Sequence, residues 1–129
     1  MKEPVIGKKG SATVEVSRNN LASTMASGAL DVFATPAMVA LMELAACNCL
    51  ADLLEGDETT VGTALDIKHT SASPEGCTVT AEAVLTAVDG REFTFDVSAS
   101  DNAGPIGSGT HKRFLVYGTR FTEKAKAKL

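Results

Sequence analysis

Three side chains in this sequence have the types and the setting for proton-transfer chemistry. Glu43 lies within Thr35-Pro36-Ala37-Met38-Val39-Ala40-Leu41-Met42-Glu43-Leu44-Ala45-Ala46-Cys47-Asn48-Cys49-Leu50, a run that is apolar at nearly every other position. A carboxylate in such surroundings needs a partner or a chemical task. At roughly 100° per residue, Asp52 falls opposite Glu43 and Asn48 about 140° from it, so Glu43 stands alone on its face. Such a group can serve as a base, as a nucleophile or as the partner of a base. His69 closes an alternating stretch and shares a face with Val61, Thr63, Leu65 and Ile67. A histidine on an apolar face is more often a satisfied core residue, but one beside a carboxylate can move a proton near neutral pH. Its strand should pack on the apolar run, which would bring His69 towards Glu43 of the same chain or of a second copy, as a working pair. Thr35 reads first as a helix cap, with Pro36 at the first helical position. Its hydroxyl, at the positive end of that helix, could also touch a substrate. Thr35 and Glu43 are about 12 Å apart along a helix, too far for a direct hydrogen bond. Either a substrate bridges them or a second subunit contributes.

The elements that hold these groups follow from periodicity. The run from Thr35 to Leu54 is apolar all round, so it should be a central helix buried on all sides, capped at Gly56. Before it, Ala12 to Val16 alternates as a half-buried strand does. The small, polar segment from Arg18 to Asp31 is a candidate lid. Four strands are expected after the helix, over Thr59–Thr70, Cys77–Thr86, Phe93–Ala99 and Ile106–Tyr117. Asp89-Gly90 marks a hairpin between the second and third of these. Gly62, Gly107 and Gly109 are strand bends or points of close approach. Gly62 has the better claim to a site, since its backbone N–H could face a carbonyl oxygen. Arg113 reads as an ion-pair partner, and His111 as structural or substrate-adjacent. A short helix is expected from Phe121 to Leu129. Strand, long helix and four antiparallel strands make an α+β chain, a curved sheet wrapped round one helix. The 129 residues suit a single domain, 1–129.

Composition narrows the function classes. Net charge is −4 and no basic stripe is visible, so no nucleic-acid partner is expected. The three cysteines form no Cys-x-x-Cys pair, so no zinc or redox site is expected and a cytoplasmic location is. Glu43, Asn48 and Asp52 interrupt the longest apolar run, which argues against a membrane span. Open sheet edges favour a homodimer or a dimer of dimers.

The order of elements resembles the hotdog fold of acyl-CoA thioesterases. Val32-Phe33-Ala34-Thr35, Met38-Val39, Leu41-Met42-Glu43, Val61-Gly62-Thr63-Ala64, His69-Thr70 and Ile106 to Arg113 resemble the fluoroacetyl-CoA thioesterase branch, from about Val32 to about Arg113. The resemblance implies that Thr35, Glu43 and His69 are the catalytic set. It also implies that Gly62 lies by the thioester carbonyl and that Arg113 supports the substrate site. The fluoroacetyl-CoA enzyme carries an aromatic-rich lid before its threonine. Here Ala26-Ser27-Gly28-Ala29-Leu30 has no aromatic residue before Phe33, and Pro36-Ala37 also departs at the helix start. A strong preference for fluoroacetyl-CoA over acetyl-CoA is therefore not expected.

The reading is a hotdog-fold hydrolase of a short-chain acyl-CoA thioester, with no metal and no cofactor beyond the coenzyme A of its substrate. The rivals are a hotdog hydratase or dehydratase and a non-catalytic acyl-CoA-binding module.

Overall fold

The structure is a computed structural model that describes residues 1–129. Strand β1 (Lys9–Glu15) leads through a 3₁₀ turn and the short helix α1 (Ala22–Met25) into helix α2 (Thr35–Leu50). Strands β2 (Glu58–His69), β3 (Thr78–Asp89), β4 (Glu92–Ser100) and β5 (Pro105–Tyr117) follow, and helix α3 (Gly118–Lys126) closes the chain. The strands form one sheet in the order β1-β3-β4-β5-β2, antiparallel throughout. Alternation produces its inner face: Val79, Ala81, Ala83 and Leu85 of β3, and Phe93, Phe95, Val97 and Ala99 of β4, are all buried. They meet Met38, Met42, Ala45, Ala46 and Cys49 of α2 in one core. Burying a side chain the size of Phe95 contributes about 1.5–3 kcal/mol.

Helix α2 departs from expectation in two ways. It buries Met38, Leu41, Met42, Ala45, Ala46, Cys49 and Leu50, but Ala40, Leu44 and Asn48 are exposed, so it is not covered on all sides within one chain. It also ends at Leu50, continuing as a 3₁₀ turn over Ala51–Leu53. Gly56 does take a left-handed backbone (φ +57°), but in the turn into β2 rather than as the cap of α2. Thr35–Leu53 is long and apolar enough to cross a membrane by length and composition alone. Here eight of its residues, Leu53 included, are buried in the core as those of a core helix are.

Two glycines set how closely the layers approach. A Cβ at Gly10 of β1 would run into the backbone of Ala45 and Cys49, so strand and helix touch main chain to main chain there. A Cβ at Gly107 of β5 would come within 2.7 Å of the Met38 sulfur and of the Lys68 carbonyl oxygen. The glycines of β5 thus serve packing between β5, β2 and α2.

Strand β2 is the edge of the sheet and carries a bulge. Gly62 pairs with Arg113 and Ala64 with Lys112, so Thr63 is the extra residue. The bulge changes which alternate residues face α2. After it Ile67 and His69 point inward as expected. Before it Thr60 and Gly62 do, and not Val61 and Thr63. Strict alternation would put Gly62 and His69 on opposite faces, and the bulge puts them on the same one.

Candidate active site

At the start of α2, Thr35 and His69 meet. Thr35 does not cap the helix: Ala34 holds the cap position, and no side chain bonds the free N–H groups. With Ala34 taking the extended cap conformation, Thr35 is already helical and Pro36 follows it. The Thr35 hydroxyl instead lies 2.8 Å from His69 Nδ1, from the last residue of β2. The other ring nitrogen, His69 Nε2, is buried without a partner in the chain. An orphan buried nitrogen is costly unless something outside the fold satisfies it. Both residues border a cavity of about 260 Å³, with Ala22, Ser27, Val32 and Phe33 on its other side. Ala22 and Ser27 belong to the segment read as a lid, Arg18 to Asp31, and Val32 and Phe33 follow it directly. That segment is a flap, tied by Ala22 N–H to Val32 O at 2.8 Å and by Ser23 Oγ to Asp31.

Two turns further along α2, Glu43 meets β2 and β5. Its Oε2 accepts from Arg113 at 3.1 Å, while the carboxylate stays about one-third exposed. Arg113 is buried and uses four of its five N–H groups. Nε donates to Thr60 Oγ1 at 2.9 Å, a terminal nitrogen donates to Thr60 O at 3.0 Å, and the other terminal nitrogen serves Glu43 and His111. A guanidinium fixed on so many acceptors holds the Glu43 carboxylate in one place. Gly62 makes room for it. A Cβ at Gly62 would stand 2.5 Å from Glu43 Oε2 and 3.3 Å from the Arg113 nitrogen.

His111 completes this cluster and is the member that sequence reasoning did not assign. It is fully buried. Its Nδ1 lies 2.9 Å from the Ala64 carbonyl, which can only accept, so Nδ1 carries the proton. Nε2 is then the acceptor for the Arg113 N–H at 3.1 Å. The ring is therefore neutral, as its surroundings favour. Burial pushes its pKa below the ordinary histidine value, the Ala64 carbonyl opposes that, and the Arg113 charge adds to it. The signal for His111 was present in the sequence: it sits two residues before Arg113, on the same face of one strand.

The structure thus brings Thr35 to His69, and Glu43 to Gly62 and Arg113. It does not pair His69 with Glu43 inside one chain. Gly62 and His69 stand at the two ends of a strand segment of roughly 20 Å. No group of three or more His, Cys, Asp or Glu residues is placed to hold a metal ion.

A curled five-stranded antiparallel sheet wrapped on one long helix, with polar residues at the helix start and middle facing the edge strand, defines the hotdog fold of thioesterases. Solved structures agree. A Thermus thermophilus thioesterase-superfamily protein matches over 98% of this chain and 94% of its own, at 22% identity and TM-score 0.90. A fluoroacetyl-CoA thioesterase, FlK, matches over 99% of both chains at 34% identity and TM-score 0.94. The model of the fluoroacetyl-CoA-specific thioesterase family matches residues 16–119. The fluoroacetyl-CoA thioesterase of Streptantibioticus cattleyicolor is 45% identical over 98 residues, 76% of this chain and 70% of that protein. The chain belongs to the fluoroacetyl-CoA-specific thioesterase family.

Proposed function

We propose that this protein hydrolyses short-chain acyl-CoA thioesters to the free acid and coenzyme A, at a site that two copies of the chain build together. The observation that carries this reading is the division of the polar residues into two half-sites along an open edge strand. Residues 62–66 of β2 are all exposed, and Leu65 is 40% exposed. An apolar residue on an unpaired edge invites pairing. Antiparallel pairing of two β2 edges about a two-fold axis near Leu65 sets the Gly62 end of one copy beside the His69 end of the other. Glu43 then faces Thr35 and His69 across the interface, and the distance along one helix ceases to be an obstacle.

In such a site Glu43 activates water for attack on the thioester carbonyl, or attacks it and is then released by water. The pair of Thr35 and His69 positions the thioester and handles the proton. The Gly62 N–H and the positive end of α2 favour the oxygen on which charge develops. Arg113 acts through Glu43 as a positioning residue. The three cysteines are unpaired, which supports a cytoplasmic location.

Fluoroacetyl-CoA is one substrate to test, not the expected favourite. The flap over Thr35 and His69 offers Ala22, Ser27 and Val32, and Phe33 is its one aromatic residue in that cavity. A small, loose wall distinguishes fluorine from hydrogen poorly. The experiment is thiol release from a panel of acyl-CoAs. Turnover of acetyl-CoA and fluoroacetyl-CoA with kcat/KM values within about tenfold, the discrimination expected of a loose pocket, supports the reading. No thiol release from any acyl-CoA would leave the binding-module reading in its place.

A further inference from the structure

The cavity beside Thr35 and His69 is walled with hydroxyls. Five of its nine lining residues are polar, namely Ser27, Thr35, His69, Thr70 and Ser71, and no lysine, arginine, aspartate or glutamate is among them. The Thr35 hydroxyl is taken by His69, and the Thr70 hydroxyl donates to Ile106 O at 3.2 Å. Ser27 and Ser71 differ: both are exposed, and their hydroxyls bond no group of the chain. Ser71 is nonetheless held by its backbone. Its N–H donates to Ile106 O at 3.2 Å, beside that of Thr70 at 2.7 Å. In the same loop, the fully buried Ser73 donates from Oγ to Asp101 Oδ2 at 2.7 Å, and its carbonyl accepts the Phe33 N–H at 2.8 Å. Asp101 is itself fixed by the Ala103 and Gly104 N–H groups of its turn. The loop after β2 therefore presents the Ser71 side chain from a fixed place, and the flap across the cavity carries Ser27.

Hydroxyls of this kind are solvated until a ligand displaces their water. A ligand group that cannot replace the lost hydrogen bonds weakens binding, and one that can replace them does not. A methyl group set against Ser27, Thr70 and Ser71 leaves them unpaired. A hydroxyl both donates and accepts, so it can serve two of them at once. A carboxylate is a worse match, since no lysine or arginine lines the cavity to offset its burial. We propose that this cavity selects thioesters whose short acyl group carries a hydroxyl, the 2- or 3-hydroxyacyl-CoA class, with Ser71 and Ser27 as the residues that determine specificity. The inference rests on the acyl-CoA reading given above and names the acyl group within it. The small residues of the flap leave a loose steric fit, so hydrogen bonding is the means of selection that the wall retains.

The test compares pairs of substrates that differ only by a hydroxyl: 2-hydroxyacetyl-CoA with acetyl-CoA, and 3-hydroxypropionyl-CoA with propionyl-CoA. In the wild type at least one hydroxylated member should exceed its partner about tenfold in kcat/KM, the size of one good neutral hydrogen bond. Ser71→Ala, alone and combined with Ser27→Ala, should bring that ratio towards one. Ser71→Thr, which restores a hydroxyl, should keep it. The ratio separates selection from structure, because a disturbed fold lowers both members of a pair alike. Ratios near one for both pairs in the wild type, or a ratio that the alanine variants leave unchanged, would overturn the assignment. Should the wild type hydrolyse none of these thioesters, it is the thioesterase reading that fails, and binding then decides the cavity. Calorimetry with the inert thioethers S-(2-hydroxyethyl)-coenzyme A and S-ethyl-coenzyme A supplies that measurement. Tighter binding of the first, lost in Ser71→Ala, supports the assignment, and equal or absent binding counts against it.

Discussion

His111 is one contact removed from Glu43, the carboxylate proposed above to react. It joins the bulge in β2, through the Ala64 carbonyl, to Arg113, and Arg113 holds Glu43. Replacing it by phenylalanine keeps the ring and removes both bonds, leaving the Ala64 carbonyl and an Arg113 N–H unpaired. The Arg113 N–H lies in the interior, where an orphaned donor costs about 1–3 kcal/mol. The variant His111→Phe should lose stability and kcat, whereas His111→Gln, whose amide can both donate and accept, should recover part of each. The pH dependence separates this role from mere packing. Burial lowers the folded-state pKa of His111, so between that value and the ordinary 6.5 the unfolded chain binds more protons. Its contribution is complete above about pH 6.5 and is lost as pH falls through the depressed value. Asp52, Glu58 and Asp101 also have lowered values, but they remove stability only in the more acidic carboxylate range. Thermal melts from pH 7 to 5 should show a fall in Tm for the wild type that His111→Phe lacks. Parallel curves for the two proteins would show that His111 does not titrate in this way.

At the scale of elements, the bulge at Thr63 decides what the site can contain. It turns Thr60 and Gly62 to the side of α2 that His69 also faces. A methyl at Gly62 would collide with the free end of Glu43 rather than with backbone, so the fold can accept it and the carboxylate must move. Gly62→Ala is therefore expected to melt near the wild-type temperature while losing kcat by about 10²-fold, comparable to a misplaced catalytic group. Gly10→Ala is the contrast. Its added methyl meets the α2 backbone, which cannot yield, and should cost about 1–3 kcal/mol or more of stability. Circular dichroism melts with thiol-release assays on both variants check this, and a Gly62→Ala enzyme of full activity would contradict it. The same element marks where sequence reading stops. The alternation of Val79 to Leu85 and of Phe93 to Ala99 was legible, because buried strands of a two-layer fold repeat every second residue. That Thr35, Glu43, His69 and Arg113 lie on facing elements was legible too, but the inward turn of Gly62 was not. The bulge was not, since it depends on pairing with β5 rather than on any local pattern. Nor was the true role of the Thr35 hydroxyl, because a cap and a hydrogen bond to a distant histidine make the same demand on residue type.

At the scale of the whole molecule, one chain presents an incomplete arrangement. Helix α2 exposes Ala40 and Leu44, β2 leaves a long unpaired edge, and Thr35 with His69 stands apart from Glu43 with Arg113. The expectation of a helix buried on all sides failed for the same physical reason: its apolar surface exceeds what one five-stranded sheet covers. A second copy paired along β2, as proposed above, accounts for the open edge and for the divided polar residues together, which is why the shared site is the central claim. Mixing two inactive proteins, Glu43→Gln and His69→Ala, tests it most directly. After exchange of subunits at equal amounts, half of the dimers are hybrids, and each hybrid holds one intact and one doubly altered site. The shared site predicts recovery of about a quarter of wild-type activity, the fraction set by two-fold symmetry. A mixture that exchanges subunits and stays inactive would place Glu43 and His69 in one chain's site and contradict the account.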